Sequence, residues 1–371
     1  MEFSGRTLRL GLATRSTTGY SLNVTQRLVG VPRTIATSEN ATHICKYLAD
    51  QLHMFCDVQN VADDDLPLIC VIGICSPSCA VTQRSFFQLL KNAIALRERL
   101  RVRLLGVISA ATGILISTTF DHGGHCELGV QLGVDIDMAV LSDSHDLQVT
   151  ATPIGPPWIE ADNISRDVSD LLCKFDGDTK SRTSPLSAIV SVEHLGEYVR
   201  RVLLSLTESG ALFRSDQRMA MEVLSERDVI LARYITDILR DDTSNLWHTR
   251  CLFEEDIGID TVQNVDLLLV RQVCTSVSKR SAVIAASAIV AGVTRLLRVK
   301  NSHEKETPRK MLIGVDGALV SQQPNYYDWM VTAIGELAPA NVQLVLVHAV
   351  DGAVRGAVLL ALTLHQASGR P

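Results

Sequence analysis

The stretch MLIGVDGALVSQQPNYYDWMVTAIGELAPANVQLVLVHAVDGAVRGAVLLAL, residues 311–362, decides how the rest of the chain is read. Met311–Val315 is an apolar run of strand length that stops at Asp316-Gly317, a turn pair. Tyr326–Leu337 has the length and spacing of a helix, and Val342–Val347 reads as a second buried strand. Asp351–Gly356 then opens a last apolar helix. Strand, turn, helix, repeated once, is an α/β unit.

The first half carries the same alternation. Thr7–Leu12 and Tyr20–Val24 read as paired strands, Ala41–Phe55 and Phe86–Leu100 as helices, and Leu66–Ile74 as a buried strand. Glu127–Leu132 and Asp137–Leu141 look like another strand pair. Between them lies LLGVISAATGILIS, Leu104–Ser117, a strand running through small residues into an apolar helix. Ligands gather beyond the carboxyl ends of strands in such sheets. This strand end presents Ser109, Ala110, Ala111 and Thr112, without a carboxylate, histidine or lysine. Lys174–Ser187, KFDGDTKSRTSPLS, is polar and turn-rich and marks the expected boundary between lobes 1–182 and 183–371. Beyond it Glu193–Thr207, Gln217–Leu239 and Val265–Leu297 read as helices.

The 371 residues are 46% hydrophobic and 20% charged, a globular balance. A net charge of −6 gives nucleic acid no electrostatic footing. The longest apolar run, Ala282–Val293, is shorter than the ~20 residues of a bilayer span and reads as a core helix, so no transmembrane segment is expected. Met1–Ser16 has no signal-like apolar core. Nine scattered cysteines fit reduced thiols, so an intracellular location is expected: cytoplasm first, nucleus or mitochondrion next. Cys70, Cys75 and Cys79 lack zinc spacing, and DHGGHCE, with His122, His125, Cys126 and Glu127, reads as a Gly-Gly turn; no metal is expected at either.

Three stretches resemble the eukaryotic hexokinase family in order and spacing. Leu312–Leu362 resembles its C-terminal segment, with the Gly-Val-Asp-Gly turn, the Glu-Leu-x-Pro helix end and the Asp-Gly turn before the last helix. EHLGEYVRRVLLSLTESGALFRSD (Glu193–Asp216) resembles its Leu-Gly-Glu helix, and VRQVCTSVSKRSAVIAASAIVAGV (Val270–Val293) its Val-Cys-x-x-Val-Ser helix. Ala93–Ser117, Glu127–Leu141 and Arg6–Val24 follow the family by order. The resemblance implies an α/β, two-lobed, actin-like ATPase (ribonuclease H-like) fold, here with a truncated small lobe.

It also implies what a sugar kinase needs: a carboxylate base, which is worth about 10²–10⁴-fold, and donors for a transferring phosphoryl group with Mg²⁺. The family's Asn-Asp base pair falls on Ser109 and Ala110 here, so no catalytic residue is assigned. The first phosphate hairpin is Gly11-Leu12-Ala13-Thr14 in place of Asp-Leu-Gly-Gly. The second is Gly133-Val134-Asp135-Ile136-Asp137 in place of Gly-Thr-Gly-x-Asn, which adds two negative charges. Ala353 and Val354 replace the serine and second glycine of the last turn. The Thr-Lys sugar loop is deleted near SPSCAVTQRS, and the family's sugar-binding acids fall near Trp158 and near Ser187 or Ala188. Glu193 and Glu197 sit four apart on one helix, with Glu197 on a scaffold position.

Retained are Gly314, Asp316, Gly317, Asp351, Gly352 and Gly356, either a remnant of nucleotide binding or simply turn-formers. No cofactor is expected, with ATP–Mg²⁺ only through that remnant. The expected function is non-catalytic regulation or scaffolding through a protein partner, without retained sugar-coordinating acids. The alternatives are a hexose kinase with a re-tuned site, using Asp135 or Asp137 as base, and a structural subunit. A cleft stripped of polar groups lacks the differential contacts that drive closure, so a fixed interlobe angle is expected.

Overall fold

The computed structural model describes residues 1–3, 7–15, 22–36, 38, 40–59, 66–72, 83–97, 100–123, 126–134, 136–140, 186, 189–299 and 309–367. A first sheet contains β1 (Glu2–Phe3), β2 (Thr7–Arg15), β3 (Leu22–Gly30), β4 (Leu66–Ile72) and β5 (Val102–Ser109), in the order β3-β2-β1-β4-β5. A second contains β6 (Cys126–Leu132), β7 (Ile136–Val140), β8 (Arg309–Asp316) and β9 (Val342–His348), in the order β7-β6-β8-β9. In each, an antiparallel hairpin is continued by parallel strands. The two lobes therefore share one plan that no sequence repeat announces.

Helices α1 (Arg33–Ala36), α2 (Ala41–Val58) and α3 (Gln83–Ala95) belong to the first lobe. Asn40 starts α2 by accepting the Thr42 N–H at 3.0 Å. Its buried stripe, Ile44, Leu48, Leu52 and Phe55, joins Leu8 and Leu10 of β2 and Leu90 of α3 in one core. Along β4, Cys70 faces that core while Ile69 and Val71 pack on the opposite side. Burial on both faces explains why this strand is apolar throughout.

Helix α4 (Ala110–Asp121) leaves the first sheet at Ser109 and packs on the second. The division between the sheets thus falls along α4. Strands β6 and β7, inside the expected span 1–182, pair with one another, and β6 pairs with β8, so the spans 1–182 and 183–371 do not coincide with the sheets. The physical reason is the crossover helix, which carries the chain from one sheet to the other well before the polar segment 174–187.

The second lobe adds α5 (Val192–Glu208), α6 (Gln217–Ser225), α7 (Ala232–Arg240), α8 (Trp247–Cys251), α9 (Asn264–Val299), α10 (Ala318–Gln322) and α11 (Tyr326–Leu337). The expected continuous helix over 217–239 is interrupted. Glu226 is extended, Asp228 is left-handed (φ 60°), and the Ile230 carbonyl lies where a Cβ on Gly196 would sit only 2.0 Å away. The helix ends so that the chain can pass close over α5. Helix α9 is long and apolar enough to cross a membrane, but its Ala282, Ala285, Ile289 and Val293 are buried in a core shared with Met138 and Met330. That agrees with the core-helix reading.

The last helix, α12 (Gly352–Ala367), leaves the second sheet and packs back on β4 of the first. It crosses α4 between the lobes. At the crossing a Cβ on Gly113 would lie 2.4 Å from the Ala353 carbonyl oxygen, and one on Gly356 would lie 1.8 Å from that of Gly113. Neither position accepts a side chain without moving a backbone.

Candidate functional site

The site is built where β5, the β6–β7 hairpin and the turns after β8 and β9 converge. Ser109 closes β5 and caps α4: its Oγ accepts the Thr112 N–H at 3.2 Å and lies 3.1 Å from Thr112 Oγ1. Ala110 follows and is 1% exposed, packed among Ile69, Val71, Ile114, Ala349 and Ala353. The position expected to carry the base is an apolar contact closed to solvent.

A carboxylate nevertheless stands at this helix start, supplied by another strand. Asp137 on β7 is buried, and its Oδ2 accepts the Ala111 N–H at 3.4 Å. The amino-terminal end of α4 favours negative charge there. Asp135 lies outside the described residues.

The retained glycines serve packing. Gly314 lies beneath α4, where a Cβ would come 2.2 Å from Thr118 Oγ1. Gly317 adopts φ +123° against the Leu132 carbonyl, Gly352 faces Ser117 Oγ, and Gly356 forms the helix crossing. The two aspartates are structural partners as well. Asp316 accepts the Gly317 N–H at 2.7 Å and the Gly352 N–H at 3.1 Å, so one carboxylate joins both turns. Burial raises its pKa, opposed by those two bonds.

Asp351, left-handed at φ 54°, accepts from Arg9 Nη1 at 2.6 Å and from Gln26 Nε2 at 3.4 Å. Arg9 also stands 3.6 Å from Glu2 Oε2. Burial raises the Glu2 carboxyl above its usual value, with Arg9 opposing. Arg9 and Glu2 carry no motif. The period of β2, which sends Leu8 and Leu10 into the core, is the one sequence signal that Arg9 faces the other way.

Of the remaining candidates, Gly11, Leu12, Ala13 and Thr14 are ordinary β2 ladder residues, with Gly11 opposite Gln26 and Ala13 opposite Val24. Glu197 is held by Arg200 at 2.5 Å and Arg201 at 2.8 Å. Burial works against its ionisation, but these bonds outweigh it and lower its pKa. Glu193 donates its backbone N–H to the Ser191 cap at 3.1 Å. Cys70 is buried, its thiol pushed up to about 12 by desolvation. Cys126 donates to the Leu128 carbonyl at 3.3 Å. Among the described residues no three His, Cys, Asp or Glu gather to hold a metal. Cys75, Cys79, His125, Trp158, Ser187 and Ala188 lie outside the described residues.

At the edge where the two turns meet β2, Glu2 and Asp351 both stand against the guanidinium of Arg9, while Asp316 lies 3.7 Å from His348 Nε2. A triphosphate brought here meets like charge, and the glycines that would let it approach are filled by packing.

Two sheets of one plan, joined by crossed helices with acid-led turns at the strand ends, define a two-lobed α/β protein of the actin-like ATPase type. The family model described as Hexokinase matches residues 167–363. The chain belongs to the hexokinase family. It is 27% identical over 288 residues to a hexokinase of Brugia malayi, covering 74% of this chain and 48% of that protein. It is 26% identical over 392 residues to a hexokinase of Schistosoma mansoni, covering 97% and 82%. The chain thus spans about half the length of the first relative and most of the second. Among solved structures, the Schistosoma mansoni hexokinase complexed with glucose superposes with a TM-score of 0.74 at 23% identity, covering 97% of this chain and 83% of that one. A ROK family glucokinase from Streptomyces griseus with glucose and AMPPNP gives 0.53 at 14% identity, covering 96% and 97%. These structural likenesses establish the fold.

Proposed function

We propose that this hexokinase-family chain does not phosphorylate sugar and acts through binding, as a regulatory or scaffolding protein in the cytoplasm. The carrying observation is Ala110, a methyl group buried among Ile69, Val71 and Ala353 at the position where the family resemblance places the base. A general base is worth about 10²–10⁴-fold. The test is phosphoryl transfer from radiolabelled ATP–Mg²⁺ to a panel of hexoses and aminosugars. Expected is no turnover above the rate without protein; turnover within a few orders of an ordinary kinase's would overturn the reading.

A second reading, a re-tuned hexose kinase, is favoured by Asp137. Its buried carboxylate reaches the Ala111 amide next to the vacated base position. On that reading Asp137→Asn abolishes a measurable turnover; on the first there is none to abolish.

A further inference from the structure

We infer that the surface where α8 meets the start of α9 docks a partner segment that carries large apolar side chains flanked by lysine or arginine. Naming such a partner rests on the binding role proposed above. Arg250 on α8 donates from Nη2 to Asn264 Oδ1 at 2.7 Å and from Nη1 to the Val262 carbonyl. Arg271 on α9 donates from Nη1 to the Asp241 carbonyl at 3.1 Å. The Arg250 bond joins a residue just after Trp247 to one just before Leu268, and the Arg271 bond joins one just after Leu268 to one shortly before Trp247. The two elements therefore run antiparallel, with Trp247 and Leu268 at one level between two polar clamps. Both side chains stay in water: Trp247 is 59% exposed, Leu268 62%, and Val265, one turn from Leu268, 65%. Scattered apolar residues on a surface are ordinary, whereas a group of them rimmed by polar residues marks an interaction site.

A strained backbone holds Trp247 outward. Asn245 and Leu246 are both left-handed, at φ 63° and 52°, a conformation that is an outlier for a residue of leucine's bulk. Leu246 is thereby turned into the core, at 6% exposure, and Trp247 into solvent. The surroundings fix this mount. The Trp247 N–H bonds Thr243 Oγ1 at 2.8 Å, and the Asp241 carboxylate takes the Thr243 N–H at 3.1 Å and the Thr249 hydroxyl at 2.7 Å. Strain kept in place by its neighbours gathers where ligands are clamped, and a tryptophan fixed before binding loses little freedom when it is covered. Charge selects the partner. Residues 241–272 hold seven carboxylates and two arginines, a formal charge of −5 where the whole chain has −6. Both arginines are engaged in the clamps, while Asp242, Glu255, Asp256 and Asp260 face solvent. A basic segment is drawn to this field, whereas nucleic acid, anionic lipid and a second copy of the same acidic face are repelled by it.

The test uses the whole chain and a fluorescein-labelled synthetic peptide of leucine and lysine in amphipathic helical order, beside the same peptide with glutamate for every lysine. Binding is read by anisotropy and by tryptophan emission. Expected is saturable binding of the lysine peptide with a blue shift, weakening as salt rises, and no binding of the glutamate peptide. Trp247→Ala should weaken binding by about tenfold or more, as truncation of a central interface tryptophan does, and remove the blue shift. Leu28→Ala, which trims an equally exposed residue on the first sheet, should change nothing. Absence of binding by the natural protein, equal binding of the two peptides, or undiminished binding by Trp247→Ala overturns the docking surface. So does self-association of the natural protein that Trp247→Ala abolishes, which would make the occupant a second copy. Should Trp247→Ala fail to fold, Glu255→Lys with Asp260→Lys decides, since it keeps the tryptophan and reverses the charge: weaker binding is expected, and undiminished binding overturns the surface. None of these readouts involves phosphoryl transfer, so their failure is separate from that of the non-catalytic reading.

Discussion

Gly356 and Gly113 meet without side chains: a Cβ on Gly356 would lie 1.8 Å from the Gly113 carbonyl oxygen. Gly356→Ala must push two backbones apart in the middle of the molecule. Overpacking in a well-filled core costs about 1–3 kcal/mol and sometimes more, and here a rigid carbonyl, not a flexible side chain, must yield. Chemical denaturation is expected to show a loss of about 3 kcal/mol, whereas Gly335→Ala, with nothing within 4 Å of the added methyl, should be neutral or stabilising.

Arg200 is 6% exposed and depends on Glu197 for its charge partner. Glu197→Gln leaves that buried guanidinium with the Leu224 carbonyl and a neutral amide oxygen in place of a carboxylate, a change expected to cost about 1–3 kcal/mol. Adding Arg200→Met to the same chain should recover most of the loss, since the uncompensated charge is then gone. Urea midpoints of the three proteins check this.

Asp241 accepts from the Thr243 and Thr249 hydroxyls and amides. Burial opposes its ionisation, but these bonds win and lower its pKa to about 2 from 3.8. A carboxyl depressed in the fold stabilises it above the unfolded value and loses that contribution as pH falls toward 2. The shift corresponds to roughly 2 kcal/mol. Thr249→Val should shrink this acid-side slope while leaving the slope at higher pH untouched.

Glu2 and Asp316 act with the opposite sign. Burial raises both carboxyls, so the folded chain holds their protons more tightly than the unfolded chain does. Stability contributed by the protonated forms is present in acid and falls as pH rises through their folded pKa values, above the ordinary carboxylate range. Asp316→Asn should flatten that part of the stability–pH curve, measured by denaturation at fixed ionic strength.

The C-terminal unit was legible in the sequence because its signals are local: β8, α11, β9 and α12 each follow from an apolar period and a neighbouring turn. The break between α6 and α7 was not, because it is imposed by the close pass of Ile230 over Gly196, a tertiary contact. The site divides in the same way. The absence of a carboxylate at 110 can be read directly, but an alanine looks alike whether it lines a cleft or fills a core, so its burial needed the structure. Asp137 was visible as a candidate and its bond to Ala111 was not. Arg9 and Asp351 stand 342 residues apart, and nothing in either neighbourhood points to the other.

The burial of Ala110 beside Asp137 also bears on whether a carboxylate can be restored at position 110. Writing an aspartate back at position 110 would place a carboxylate among Ile69, Val71 and Ala353, close to a second one already held by the Ala111 amide. Two like charges in so apolar a corner oppose each other and resist desolvation. Ala110→Asp is therefore expected to lower stability, and Asp137→Asn in the same chain to relieve part of that loss.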